Sequence, residues 1–152
     1  MRFLLTLAAA LAIPLTAAAP EPLVGTWRLE HQEINGEPTR FEPLTLRITQ
    51  EGERLKFAFS VPVNDVYLVS MSYTVRLDGT DADIKNGRDE KVGTIQVKSD
   101  GPSQYKLSMK GPNRPDSSGK LTVSPDGKSL TSETESMQNG RSVHSKQVFS
   151  RY

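Results

Sequence analysis

Cysteine is missing from all 152 residues, which excludes disulfide staples, thiolate metal sites and thiol nucleophiles at once. A chain without staples must be held by one sizeable apolar core, which about 130 residues can supply. An excess of one charge is also lacking, since 19 Lys and Arg stand against 18 Asp and Glu. Nucleic acid and anionic membrane surfaces are recognised by a basic excess that displaces counterions, so neither is expected as a partner. There is no Gly-x-Ser-x-Gly elbow and no glycine-rich phosphate loop. His31 and His144 are the only histidines, and no serine stands beside either in a recognisable catalytic signature. No catalytic residue is assigned, no cofactor is expected, and enzymatic activity is not expected. Amphipathic helical periodicity of useful length is absent as well.

A long apolar run occurs once, from Phe3 to Leu15. It follows Met1-Arg2, is broken by Pro14, and leads to Ala17-Ala18-Ala19 before Pro20. A basic start, a short apolar stretch and small residues describe a secretory signal peptide over residues 1–18. Cleavage is expected after Ala18, because a cut after Ala19 would leave proline directly behind the bond. The run is shorter than the roughly 20 apolar residues that cross a hydrocarbon core. Residues 19–152 are therefore expected to form one exported domain, secreted or periplasmic, with no integral membrane segment. Losing Arg2 with the leader brings acidic and basic residues into balance.

What the chain does have is a regular alternation of short strands and turn dipeptides. Asn35-Gly36, Asp78-Gly79, Asn86-Gly87, Asp100-Gly101, Asp126-Gly127 and Asn139-Gly140 supply the positive φ that tight hairpins demand, and Glu51-Gly52 is a weaker example. Between them, apolar and polar residues alternate with period two. Trp27, Leu29 and His31 share one face of the first strand. Leu44, Leu46 and Ile48 share a face in the second, and Leu55, Phe57 and Phe59 in the third. The run Val66 to Leu77 places Tyr67, Val69, Met71, Tyr73, Val75 and Leu77 together. Further strands fit Ala82–Lys85, Val92–Lys98, Gln104–Lys110, Gly119–Ser124, Leu130–Ser136 and Ser142–Phe149. The stretch Gly111 to Ser118 is rich in proline and serine and reads as a loop. Short connections throughout predict an all-β antiparallel meander. Closure into an up-and-down β-barrel of about eight to ten strands would remove its exposed edges, with a two-sheet sandwich as the rival.

The segment Leu23-Val24-Gly25-Thr26-Trp27-Arg28-Leu29 resembles the Gly-x-Trp opening of lipocalins and other calycins. The remainder, through Val123-Ser124-Pro125-Asp126-Gly127-Lys128-Ser129-Leu130-Thr131, resembles small bacterial secreted lipocalin-like proteins and echoes fatty-acid-binding proteins. The resemblance implies a barrel with an interior for a small apolar molecule. It also implies that Trp27 packs at the closed end against a basic side chain of the last strand, Lys146 or Arg151. The Arg-x-Tyr pair with which fatty-acid-binding proteins hold a carboxylate is not reproduced. Here Arg151 and Tyr152 are adjacent and point to opposite faces.

The expected ligand-binding residues are Trp27, His31, Phe57, Phe59, Tyr67, Met71, Tyr73 and Tyr105, aromatic or methionine side chains with a few polar tips on inward faces. The same side chains can instead fill a small barrel completely. In that case the alternative function is a protein-binding barrel, resembling secreted protease or lysozyme inhibitors, that works through Ala19–Val24 and the loop Gly111–Ser118. The two histidines beside Glu33 or Glu133 lack the third ligand and fixed spacing that zinc requires, so no metal is assigned. Asp78, Asp81, Asp83, Asn86 and Asp89 do not follow the calcium-loop spacing. Glu133 and Glu135 share a strand face opposite Leu130, Ser132 and Thr134, which points them to solvent rather than to acid–base work.

Overall fold

Alternation with period two puts every second side chain of each strand on one side of a sheet, and here that sheet rolls up on itself. The computed structural model describes residues 20–152, so the expected leader lies outside the described residues. In chain order the strands are β1 Gly25–Ile34, β2 Glu37–Pro38, β3 Thr45–Glu51, β4 Arg54–Val63, β5 Val66–Val75 and β6 Ala82–Asn86. They continue as β7 Lys91–Ser99, β8 Gln104–Gly111, β9 Arg114–Val123, β10 Ser129–Gln138 and β11 Arg141–Arg151. Neighbours in sequence pair antiparallel around the sheet, the short β2 flanks β1, and β11 pairs with β1 to close a barrel of ten strands. Closure, not a sandwich, is the outcome. No helix among the described residues is long and apolar enough to cross a membrane.

Hairpins set the register. Asn35 and Gly36 (φ 52° and 81°), and Asn139 and Gly140 (φ 51° and 74°), occupy the left-handed region as two-residue turns of the primed kind require. Asn64 and Asp65 do the same between β4 and β5, at φ 49° and 65°. The expected loop Gly111–Ser118 is corrected. β9 begins at Arg114, and only Pro112 and Asn113 connect it to β8. Proline is tolerated because the ladder is irregular there. Gly111 pairs with Arg114 and Met109 with Ser117, so Pro115 falls at the irregularity, where a missing N–H costs little.

The end of the barrel where β1 starts and β11 finishes is packed solid. Leu23, Trp27, Ile48, Leu55, Val75, Ile84, Val97, Tyr105, Val123 and Phe149 are all buried there. The Gly-x-Trp opening has a specific role in this plug. Trp27 donates its indole N–H to the Leu23 carbonyl at 2.9 Å, and the Arg151 guanidinium lies over its ring, 4.1 Å from the centroid. Arg151 also donates to the carbonyls of Val24, Pro22 and Gly127. A Cβ on Gly25 would stand 2.3 Å from Arg151 Nη1, so only glycine leaves room for the guanidinium. Of the two basic residues expected against Trp27, Arg151 is the one that packs there. Lys146 pairs with Glu33 and Glu133 in the β1–β11 and β11–β10 ladders, away from Trp27.

Candidate functional site: the upper interior of the barrel

Above the plug, the inward positions change character around the barrel. On β4 and β5 they are Phe57, Phe59, Met71 and Tyr73. Phe57 stacks on Tyr73 with ring centroids 4.8 Å apart, and Phe59 tilts against Tyr73 at 5.9 Å. On β10 and β11 the same positions carry Ser132, Thr134, Ser145 and Gln147. Between the two walls lies a cavity of about 150 Å3, floored by Leu46, Ile95, Leu121, Leu130 and Phe149, with Met109 on its side and Arg114 at its rim. Larger depressions of 540 and 490 Å3 exist, but their linings place them on the outer face. One is lined by Lys106, Lys120, Glu133, Glu135 and His144, the other by Arg54, Lys56, Arg76, Asp81 and Asp83. Both are open, heavily charged surfaces. The interior cavity is the one that could hold an apolar molecule away from water.

Four of the expected ligand-binding residues, Phe57, Phe59, Met71 and Tyr73, line this cavity together. Burial pushes the Tyr73 phenol above its usual range, so it stays a neutral hydroxyl. Trp27 and Tyr105 are inward but lie in the packed end, where the Tyr105 hydroxyl donates to the Glu21 carboxylate. Burial, then that hydrogen bond, hold the Tyr105 phenol neutral as well.

The inward placement of His31 and Tyr67 is corrected, and one physical cause covers both. In β1, Leu29 pairs with Phe149 but His31 with Val148, so Glu30 is an extra residue that shifts the alternation by one. Gln32 then points inward, accepting a hydrogen bond from Gln147 at 2.9 Å, while His31 turns outward to meet Glu33 at 2.7 Å. In β5 the extra residue is Ser70, because Phe59 pairs with Met71 and Ser60 with Val69. Tyr67 and Val69 therefore leave the face of Met71 and Tyr73. Tyr67 lines an outer groove with Arg28, Thr45 and Arg47.

The hydrogen bond from His31, with smaller help from Lys146 and the two histidines, holds the Glu33 carboxyl below its ordinary value. No group of three His, Asp or Glu residues is arranged to hold a metal ion among the described residues. The aspartates of the β5–β6–β7 region are engaged separately, Asp83 with Lys91, Asp89 with Lys85 and Asp81 with Gln96. Glu133 faces outward, bridged to Lys120 at 3.1 Å.

The polar wall and Arg114 escaped the sequence reading. Ser132 and Thr134 were detectable, since alternation sets them opposite outward Glu133 and Glu135. Arg114 carried no signal, because its segment looked like a loop.

No protein-family model matches the sequence, and no curated protein matches it. Among solved structures, the fold is similar to that of zebrafish ileal bile acid-binding protein complexed with cholic acid. The TM-score is 0.60 at 17% identity, over 86% of this chain and 99% of that one. The likeness is one of fold: an all-β, closed antiparallel barrel of the lipocalin and fatty-acid-binding-protein kind.

Proposed function

We propose that this chain is an exported binding barrel, not an enzyme, that takes a small, mostly apolar molecule into its upper interior. The observation that carries the reading is the interior cavity between the Phe57–Phe59–Met71–Tyr73 wall and the Ser132–Thr134–Ser145–Gln147 wall. Apolar bodies with a few convergent polar groups are how ligand pockets are lined. A barrel meant only to pack would gain by replacing four inward hydroxyl and amide side chains with aliphatic ones. The fold neighbour, itself a bile-acid-binding protein, is consistent with that use. Export rests on the sequence alone, on the apolar leader that ends at Ala18. Native mass spectrometry of the mature protein purified from its own host tests the reading. A stoichiometric small molecule released on unfolding supports it, and a bare mass speaks for an interior that holds nothing.

A second reading, a barrel that captures a protein partner, is favoured by a different feature. The β4–β5 hairpin carries Val63, Val66, Tyr67, Leu68 and Val69 exposed, between 43% and 59% for each. β6 pairs with β5 only at Met71 and Ser72, so this apolar tip lacks the ladder that holds the rest of the sheet. Replacing Val66 and Leu68 by Lys should abolish partner capture while leaving ligand uptake intact. Loss of uptake with capture unchanged would sink this reading.

A further inference from the structure

Resting on the binding-barrel reading, we infer that the ligand is a single-ring aromatic carboxylate, its ring against the Phe57–Tyr73 wall and its anionic head at Arg114. Three independent observations define that chemistry.

The first is size. A volume of about 150 Å3 is well below the roughly 300–1,000 Å3 of pockets for drug-sized molecules. An apolar cavity of about 150 Å3 takes a benzene-sized guest. A steroid or a long acyl chain does not fit without displacing side chains of the packed end.

The second is the asymmetry of the walls. Phe57 and Tyr73 are stacked with an interplanar angle of 24°, and Phe59 flanks them. With the thioether of Met71 beside them, they offer flat, polarizable surface suited to an aromatic face. The opposite wall offers hydroxyls from Ser132, Thr134 and Ser145, which suit a guest bearing a hydroxyl or other polar edge group. A featureless aliphatic guest would leave that wall unpartnered.

The third is charge. Among the described residues, Arg114 is the only charged side chain lining the cavity. No carboxylate among the described residues lies within ion-pair distance of it. A guanidinium at the rim, with its donors uncommitted, matches the planar fork of a carboxylate. β9 places it there because the strand starts at Arg114, opposite Gly111, whose missing side chain gives the arginine stem its path.

The probes are 4-hydroxybenzoate, the neutral 4-hydroxybenzamide of the same shape, and oleate. Affinity is measured by calorimetry on the full mature protein, and site occupancy by the methyl signals of Met71 and Met109. The benzoate is expected to bind at one site about tenfold more tightly than the amide, as a charge-assisted bidentate contact allows. Arg114→Gln should erase that difference by weakening the acid alone. Equal binding of acid and amide, or an Arg114→Gln variant that keeps the gap, overturns the assignment of the head group. Oleate binding more tightly than the benzoate overturns the assignment of size. In each of those cases the binding-barrel reading survives. If no probe shifts Met71 or Met109, the ligand assignment falls, while the binding-barrel reading stands or falls on the native mass measurement.

Discussion

The two ends of this barrel are built from the same strands with the same alternation, yet they solve different problems. At the closed end the inward residues are tryptophan, tyrosine, phenylalanine and branched aliphatics, and no polar or charged side chain is fully buried among the described residues. At the upper end, β10 and β11 switch to serine, threonine and glutamine while β4 and β5 stay aromatic. Stability therefore concentrates where Arg151 clamps Trp27, and the proposed ligand site lies where packing is incomplete. A small barrel can hold a ligand only by giving up core in one region, and the plug offsets that loss in another.

The comparison is broken most severely at the plug. Trp27→Ala should cost about 3–5 kcal/mol, because a fully buried indole and its hydrogen bond to Leu23 are lost together. A shifted urea midpoint would report it, and a loss under about 1 kcal/mol would mean that the closed end is not the stabilising half. Arg151→Ala should cost less, about 1–2 kcal/mol, by removing the cation over the ring and its bonds to three carbonyls. In the upper half, Thr134→Val should change stability by no more than about 1 kcal/mol while weakening uptake of a hydroxylated guest. Together the three variants order the two ends by what each contributes.

The smallest effect belongs to the outer surface, where His31 bonds to Glu33. The folded value of the Glu33 carboxyl is depressed from 4.5, so its contribution is present above about that pH and is lost as pH falls through the folded value. Melting temperatures of Glu33→Gln should therefore lie slightly below those of the parent at neutral pH and converge with them in acid. A gap that widens on acidification would show that the pair is not the source.

Much of the barrel was legible because its cues are local. Asn-Gly and Asp-Gly dipeptides mark turns through their tolerance of positive φ, and alternation marks inward faces within each strand. The bulges at Glu30 and Ser70 were not legible. An extra residue is defined only by the partner strand across from it, so nothing within Arg28-Leu29-Glu30-His31 reports that the phase changes there. The same limit hid Arg114. Gly-Pro-Asn-Arg-Pro has the composition of a loop, and only pairing of Gly111 with Arg114 turns it into a hairpin. Of the cavity, the inward placement of Phe57, Phe59, Met71 and Tyr73 was legible from alternation. Alternation also set Ser132 and Thr134 inward, opposite Glu133 and Glu135, but small hydroxyl side chains carry no pocket signal of their own beside aromatic ones.

The most direct test of an occupied upper interior uses methionine methyl groups as reporters, since the protein carries its own control. Met71 and Met109 line the cavity, whereas Met137 is 60% exposed on the barrel's outside. With methyl-labelled methionine, titration with a phenol-sized guest should shift the Met71 and Met109 signals saturably and leave Met137 in place. Shifts at Met137 alone, or none at any of the three, would contradict an interior that binds.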